Sequence, residues 1–169
     1  DRSVVRLPLG KDADTVQRRV TLYFLNSEGT GLVGESREFS LGSFTQENCA
    51  RILSGLIEGP QSPNCFAILP KSTAIRNVFL LDSGEVVIDF SREIQTDPAR
   101  PKSAHAEALM AYGIANTLCQ PSVAGEKDRR VTAVRFLFEG GPFPTTFPEH
   151  LDFSGGFTAD ASWFASPGS

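Results

Sequence analysis

The segment that most constrains this chain is 74–91, AIRNVFLLDSGEVVIDFS. Two apolar runs, Ile75–Leu81 and Val86–Phe90, flank Asp82-Ser83-Gly84-Glu85. A link of this length suits a β-hairpin closed by a type I turn with a G1 bulge, because Gly84 can take the positive φ that the bulge requires. In the second arm Val86, Ile88 and Phe90 alternate with Val87 and Asp89, which sends the two sets to opposite faces of a sheet. The first arm is apolar on both faces, with Ile75, Phe79 and Leu81 against Val78 and Leu80. That pattern places the first arm in the middle of a sheet.

The rest of the chain reads as elements layered on this hairpin. Residues 1–17 are polar and mixed, a flexible N-terminal arm in which Val4, Val5 and Leu7 can add an edge strand. Arg18–Leu25 alternates Val20, Leu22 and Phe24 with Thr21, Tyr23 and Leu25 and is expected as a strand. After the turn-rich loop Asn26–Gly31, Leu32–Leu41 carries Glu35, Arg37 and Glu38 and reads as its antiparallel partner near an edge. A first helix follows, with Ser43 or Thr45 as cap and Gln46 placed for a capping box with Ser43. Its apolar face is Cys49, Ile52, Leu53, Leu56 and Ile57, and Gly59-Pro60 ends it. Cys65–Pro70 reads as extended, and Ser91–Lys102 as a polar connection. A second helix is expected over Ser103–Cys119, with Ser103 as N-cap and Glu107 favouring the helix dipole. Arg130–Phe138 is a strand, and Leu151-Asp152-Phe153 is a candidate for a short last one.

The order β-β-α-β-β-α-β implies an α+β, two-layer sandwich with both helices on one face of a mixed sheet. At 169 residues the chain suits one domain without disulfide or metal support. The net charge is −4 and the densest basic cluster, Lys127, Arg129 and Arg130, has Glu126 and Asp128 mixed in, which argues against a nucleic-acid partner. No run of about 18 apolar residues exists to span a membrane. The first residue is Asp1, so the chain reads as a mature or trimmed piece, and the lack of a leader says nothing of compartment.

The chemistry-bearing residues do not gather into a catalytic motif. Gly29-Thr30-Gly31-Leu32-Val33-Gly34 is a literal G-x-G-x-x-G, but a strand rather than a helix follows it, so no helix N-terminus is available to a pyrophosphate. His105 and His150 have no G-x-S-x-G or cysteine motif in the chain to work with. Asp89 lies within an apolar strand, where it can act as a catalytic acid beside Asp82 or Glu85, or accept hydrogen bonds from loop amides or Ser91. Asp152 and Asp160 are not at calcium-loop spacing. Cys49, Cys65 and Cys119 form no C-x-x-C pair and, with two His, no zinc pattern. They read as three buried or half-buried thiols, or as one disulfide and a free thiol. No cofactor or metal is expected.

Taken in order, several segments resemble the GerMN domain, which is named from a spore-germination and sporulation protein and also occurs in bacterial envelope lipoproteins. The segments are Leu22-Tyr23-Phe24, Leu32-Val33 with Glu35 and Arg37, Gly59-Pro60, and Ile68-Leu69-Pro70 with Thr73. The most specific is Gly84-Glu85-Val86-Val87-Ile88-Asp89-Phe90-Ser91 with Glu93; Asn116-Thr117-Leu118, Val131–Phe136 with Gly140, and His150–Ser154 complete the series. Ser72 stands where glycine is usual, Asp97–Pro101 is proline-rich, residues after Ala159 have no counterpart, and the cysteines are not a family feature. The likeness divides the chain into an arm (1–17), a GerMN-like domain (18–157) and a tail (158–169).

The resemblance implies a non-enzymatic, extracytoplasmic interaction or scaffold domain, anchored to the membrane through an N-terminal signal or lipid. Its partners would be envelope proteins or further copies of itself. Its helix-hairpin-helix-strand core is similar to ring-building motifs, with an extra N-terminal β-hairpin. Gly84, Asp89, Phe90 and Ser91 would define the fold, with no catalytic role. An oxidising compartment would favour a disulfide, and two antiparallel helices would set Cys49 beside Cys119 and leave Cys65 unpaired. Two other functions are carried forward. One is a small-molecule-binding envelope protein with a Phe-lined pocket, motivated by five Phe and Trp163 between residues 143 and 164. The other is an enzyme using His150 with Asp152.

Overall fold

The alternating sequence of β1 (Val16–Leu25) pairs in full with β2 (Leu32–Leu41), from Val16 opposite Leu41 to Leu25 opposite Leu32. The computed structural model describes residues 15–144 and 148–166. Most of the arm, including the strand expected at Val4, Val5 and Leu7, lies outside the described residues. Val20, Leu22 and Phe24 are fully buried, and the pairing puts Arg37, Glu35 and Val33 on the same inward face. The turn is built on Asn26, which is 3% exposed: its Oδ1 accepts from the Thr30 and Gly31 amides at 2.8 and 3.2 Å.

Helix α1 (Thr45–Glu58) ends at Gly59 as the sequence predicts, but it begins differently. Phe44 is the N-cap residue, and no side chain of its own caps it. The Thr45 amide donates instead to Asp128 Oδ2 (2.9 Å), from a loop far along the chain. Gln46 makes no capping box; its Oε1 accepts from the Leu80 amide at 3.0 Å. At the other end Arg37 of β2 donates to the Gly55 and Gly59 carbonyls. A side chain from another element thus reaches each end of α1, where an α-helix leaves backbone groups unpaired.

The hairpin forms as expected from β3 (Ile75–Leu80) and β4 (Glu85–Phe90), with Gly84 at φ +90°. A Cβ at Gly84 would also lie 2.9 Å from the Arg130 carbonyl. The position of the first arm is corrected. The sheet order is β3-β4-β5, so β4 is central and β3 is an edge strand. α1 packs against β3, and Gln46 takes its Leu80 amide, so a helix stands where a neighbouring strand was expected.

Ser91–Lys102 contains a short helix, α2 (Glu93–Thr96), pinned by the fully buried Ile94. In α3 (Ala104–Leu118) Ser103 is the N-cap, and its Oγ accepts from the Ala106 amide. β5 (Ala133–Phe138) then joins β4 in parallel, from Glu85 opposite Ala133 to Phe90 opposite Phe138. The fold is α+β with a mixed sheet, and the β1–β2 hairpin remains a separate two-stranded sheet. α3 touches both β1 and β5, and α1 touches β1, β2 and β3. This double contact explains why α3 is buried around most of its circumference. Gly113 allows it: a Cβ there would come within 2.7 Å of Ile68 Cδ1.

The expected strand Leu151–Phe153 does not form. The Leu151 amide is taken by the Glu107 carboxylate and the Ser154 amide by Asp152, so neither enters a ladder. Phe157 pairs with Val134 instead.

The inward pair Glu35–Arg37 links β2 to the end of α1. Burial opposes ionisation of Glu35, but the Gln61 and Ser62 amides and Arg37 outweigh it and hold its carboxyl below the ordinary 4.5. A depressed folded pKa contributes stability above the unfolded pKa, and that contribution is lost as pH falls through the folded value. Urea unfolding from pH 7 to pH 3 is expected to show a loss of stability below about pH 4.5 that is smaller in Glu35→Gln. Identical slopes in the two proteins would contradict this role.

Candidate functional site

The end of β4 concentrates the residues singled out by the sequence. Asp89 is 2% exposed. Its Oδ1 accepts from the Gly140 amide (2.9 Å), and its Oδ2 lies 3.8 Å from Arg76 Nη1. Arg76 is carried there by an irregularity in the β3 register between Ile75 and Asn77, and it also lies 3.5 Å from Glu139 Oε1. Phe90 has no exposed surface, and its ring packs on Phe136 with centroids 5.5 Å apart. Ser91 closes the start of β3: its Oγ accepts from the Ala74 amide while its own amide donates to the Ala74 carbonyl. Glu139, at φ +49°, accepts from the Arg92 amide at 2.7 Å and donates its own amide to the Phe90 carbonyl. Three consecutive residues thus tie β4 to the turn after β5, to the core and to the entry of β3. Gly84 does the same at the opposite end of β4, where its carbonyl accepts from the Thr132 amide.

The catalytic candidates are not brought together. The His150 ring meets Glu107, 3.3 Å from Nδ1 to Oε2, and not Asp152, whose Oδ1 is engaged by the Ser154 amide. His105 Nε2 lies 3.0 Å from the Thr30 carbonyl, and its ring is beside Trp163. Glu85 pairs with Arg135 at 3.0 Å, and the Asp82 carbonyl accepts from Arg129. Among the described residues no three His, Cys, Asp or Glu side chains are placed to hold a metal. The three cysteines are free thiols. Burial pushes the Cys49 thiol strongly up, with the charges of Cys119 and Asp128 adding to it. Burial also raises Cys119, against the Ala159 amide and Arg130.

The tail contributes two features; the first bears on the Phe-lined pocket expected from the sequence, and the second was not expected. The first is an open cleft of about 570 Å³ beside β5, walled by Val87, Leu137, Pro142, Phe143, Leu151 and Phe153. Its two charged groups, Arg135 and Asp152, are already paired with Glu85 and the Ser154 amide.

The second is a strap, 158–166, laid across α3 and the first hairpin. Asn116 of α3 holds the strap backbone in two-pronged fashion, with Oδ1 accepting from the Asp160 amide (3.0 Å) and Nδ2 donating to its carbonyl (3.1 Å). Trp163 stacks on Tyr112 (5.2 Å, 14°), and Phe164 stacks on Tyr23 (4.8 Å, 9°). The Ala165 amide donates to Leu32. Stacked aromatic pairs contribute about 0.5–1.5 kcal/mol each beyond area burial.

Glu107, fully buried in the first turn of α3, accepts from the Glu149, His150 and Leu151 amides. Polar residues interrupting the apolar run of α3 were the available signal for both Glu107 and Asn116.

Residues 21–143 match the Germane domain family, described as sporulation and spore germination. No curated protein matches the chain. Among solved structures, the first GerMN domain of the sporulation protein GerM from Bacillus subtilis is 18% identical, with a TM-score of 0.62 over 84% of this chain and 97% of that one. A candidate lipoprotein from Clostridium perfringens is 20% identical, with a TM-score of 0.54 over 89% and 93%. The tandem GerMN domains of B. subtilis GerM match at 16% identity and a TM-score of 0.56; this chain, covered over 97%, spans 51% of that one. At these identities the likeness speaks to the fold.

Asp89→Ala is expected to cost about 1–3 kcal/mol in urea unfolding, because it removes the buried carboxylate that accepts from the Gly140 amide and takes from Arg76 one of two counter-charges. Asp89→Asn, which keeps an acceptor for Gly140, is expected to cost less. A cost below about 0.5 kcal/mol for the alanine variant would contradict the structural role.

Proposed function

The chain belongs to the Germane family of sporulation and spore-germination domains, and from that premise we propose that it is a non-enzymatic interaction or scaffold domain of the cell envelope. In this proposal an anchor N-terminal to the fold holds it at the membrane, outside the cytoplasm. The observation that carries it is the joint likeness to a domain of a sporulation protein and to a candidate lipoprotein. GerM carries two such domains in one chain, which supports a unit suited to sit beside another of its kind. The α1-β3-β4-α3-β5 order supports a core of the ring-building type.

The surface fits such a role. Phe44 is 62% exposed and Phe66 56%, with Val16 at 54%. Phe is among the residues enriched in protein contacts. In this proposal Gly84, Asp89, Phe90 and Ser91 hold the scaffold and perform no chemistry. A small-ligand function has less support, since the cleft beside β5 is open and its charged groups are already engaged.

Sedimentation velocity over a concentration series, with pull-down from envelope extracts, tests the proposal. A concentration-dependent sedimentation coefficient or recovery of one specific partner is expected. A strictly monomeric chain that retrieves nothing would remove it.

Cys49 and Cys119 are free thiols in this structure, and their oxidation to a disulfide belongs to the same proposal, because an oxidising compartment favours it. Alkylation under denaturing, non-reducing conditions is expected to modify one thiol in protein isolated from the envelope. Modification of all three would overturn the pairing.

A further inference from the structure

The family match ends at residue 143, yet the chain continues and lays 158–166 across the matched domain. The seat it occupies has the parts of a peptide-recognition groove. Asn116 is 7% exposed and matches both backbone groups of Asp160, a contact that recognises an extended chain whatever its side chains. Tyr112 and His105 border the position of Trp163, and Tyr23 offers a flat face to Phe164. The edge of β2 at Leu32 accepts the strap in a parallel bridge with Phe164. Gly31 leaves room for it: a Cβ there would lie 2.7 Å from Ala165 Cα.

These seat residues lie on the first hairpin and α3, while the occupant comes from outside the family match. The strap stays at the surface. None of 161–163 is fully buried, and Phe164 is 38% exposed. Backbone pairing at a sheet edge with aromatic anchors is a recurrent way to bind an extended segment.

We propose that the groove formed by Tyr23, Gly31, Leu32, Tyr112 and Asn116 is a binding site for an extended segment of a partner protein, and that the strap fills it in cis as an intramolecular competitor. The partner segment has the chemistry of the strap: an acidic residue followed three and four positions later by two adjacent aromatic side chains, as in Asp160-Ala161-Ser162-Trp163-Phe164. This rests on the interaction-domain proposal and names the surface through which it would act. The tether favours the cis strap by raising its effective concentration, so a partner segment must bind more tightly or arrive after the strap is lifted.

The test uses the full chain and a fluorescein-labelled peptide of residues 158–166. In the Trp163→Ala/Phe164→Ala chain, whose strap has lost its anchors, the peptide is expected to give a saturable rise in anisotropy. The unsubstituted chain is expected to bind it at least tenfold more weakly. Adding Gly31→Ala to the double variant is expected to weaken binding at least tenfold, because the new methyl occupies the seat of Ala165. Trp163 is the sole tryptophan of the chain, so Gly31→Ala alone is expected to raise its quenching by acrylamide.

Far-UV circular dichroism verifies that each variant is folded. Absence of saturable binding to the folded double variant, equal binding to the unsubstituted chain, or indifference to Gly31→Ala would each overturn the proposal. These outcomes are separate from failure of the interaction proposal, which is read from sedimentation and pull-down of the unsubstituted chain.

Discussion

A buried peptide group without a partner costs about 1–3 kcal/mol, and a fold with two short sheets has many such groups at strand edges and helix ends. Side chains reach across this chain to satisfy them. Gln120 accepts from the Thr21 amide and donates to the Thr21 carbonyl, so one side-chain amide stands in for a neighbouring strand on the free edge of β1. Thr117 accepts from Tyr23 one turn earlier. Asp128 and Arg37 complete the two ends of α1, Asp89 takes the turn after β5, and Glu107 gathers three consecutive amides of the tail. The apolar core fills the interior, and these polar reaches decide which segment sits where.

This division explains what could be read in advance. Elements set by local pattern were legible: the alternation of β1 and β2, the apolar stripe of α1, the Ser103 cap and the Gly84 turn all appear where their residues predict. Elements set by distant partners were not. Thr45 and Gln46 have the composition of a helix start, yet their hydrogen bonds go to Asp128 and Leu80, which no local rule connects. The edge position of β3 was hidden because an apolar strand covered by a helix has the same pattern as one covered by another strand. Leu151–Phe153 looked like a strand because nothing in those residues announces that Glu107 will claim the Leu151 amide. Of the residues weighed for function, Asp89 was legible as a buried acceptor in an apolar strand, while the roles of Asn116 and Trp163 emerge only where the chain returns to α3.

The same organisation bears on what kind of module this is. The residues of the matched family build the two sheets and the helices between them, and the tail is held at the outside by Asn116, Glu107 and aromatic stacking. A domain secured this way can keep its interior unchanged while its surface is varied by what is attached to it.

The parallel pairing of β4 with β5 has a consequence for how the chain comes into being. β4 is buried on both faces, and its second neighbour lies beyond the whole of α3. Non-local strand pairing of this kind is slow to form, since the intervening loop must close before the contact rewards it. During synthesis, Val86–Phe90 has one open edge until residue 138 has been delivered. Over that interval the free edge of β4 is open to pairing with another unfinished copy, and a holdase that shields it would act on the same residues that later anchor the core.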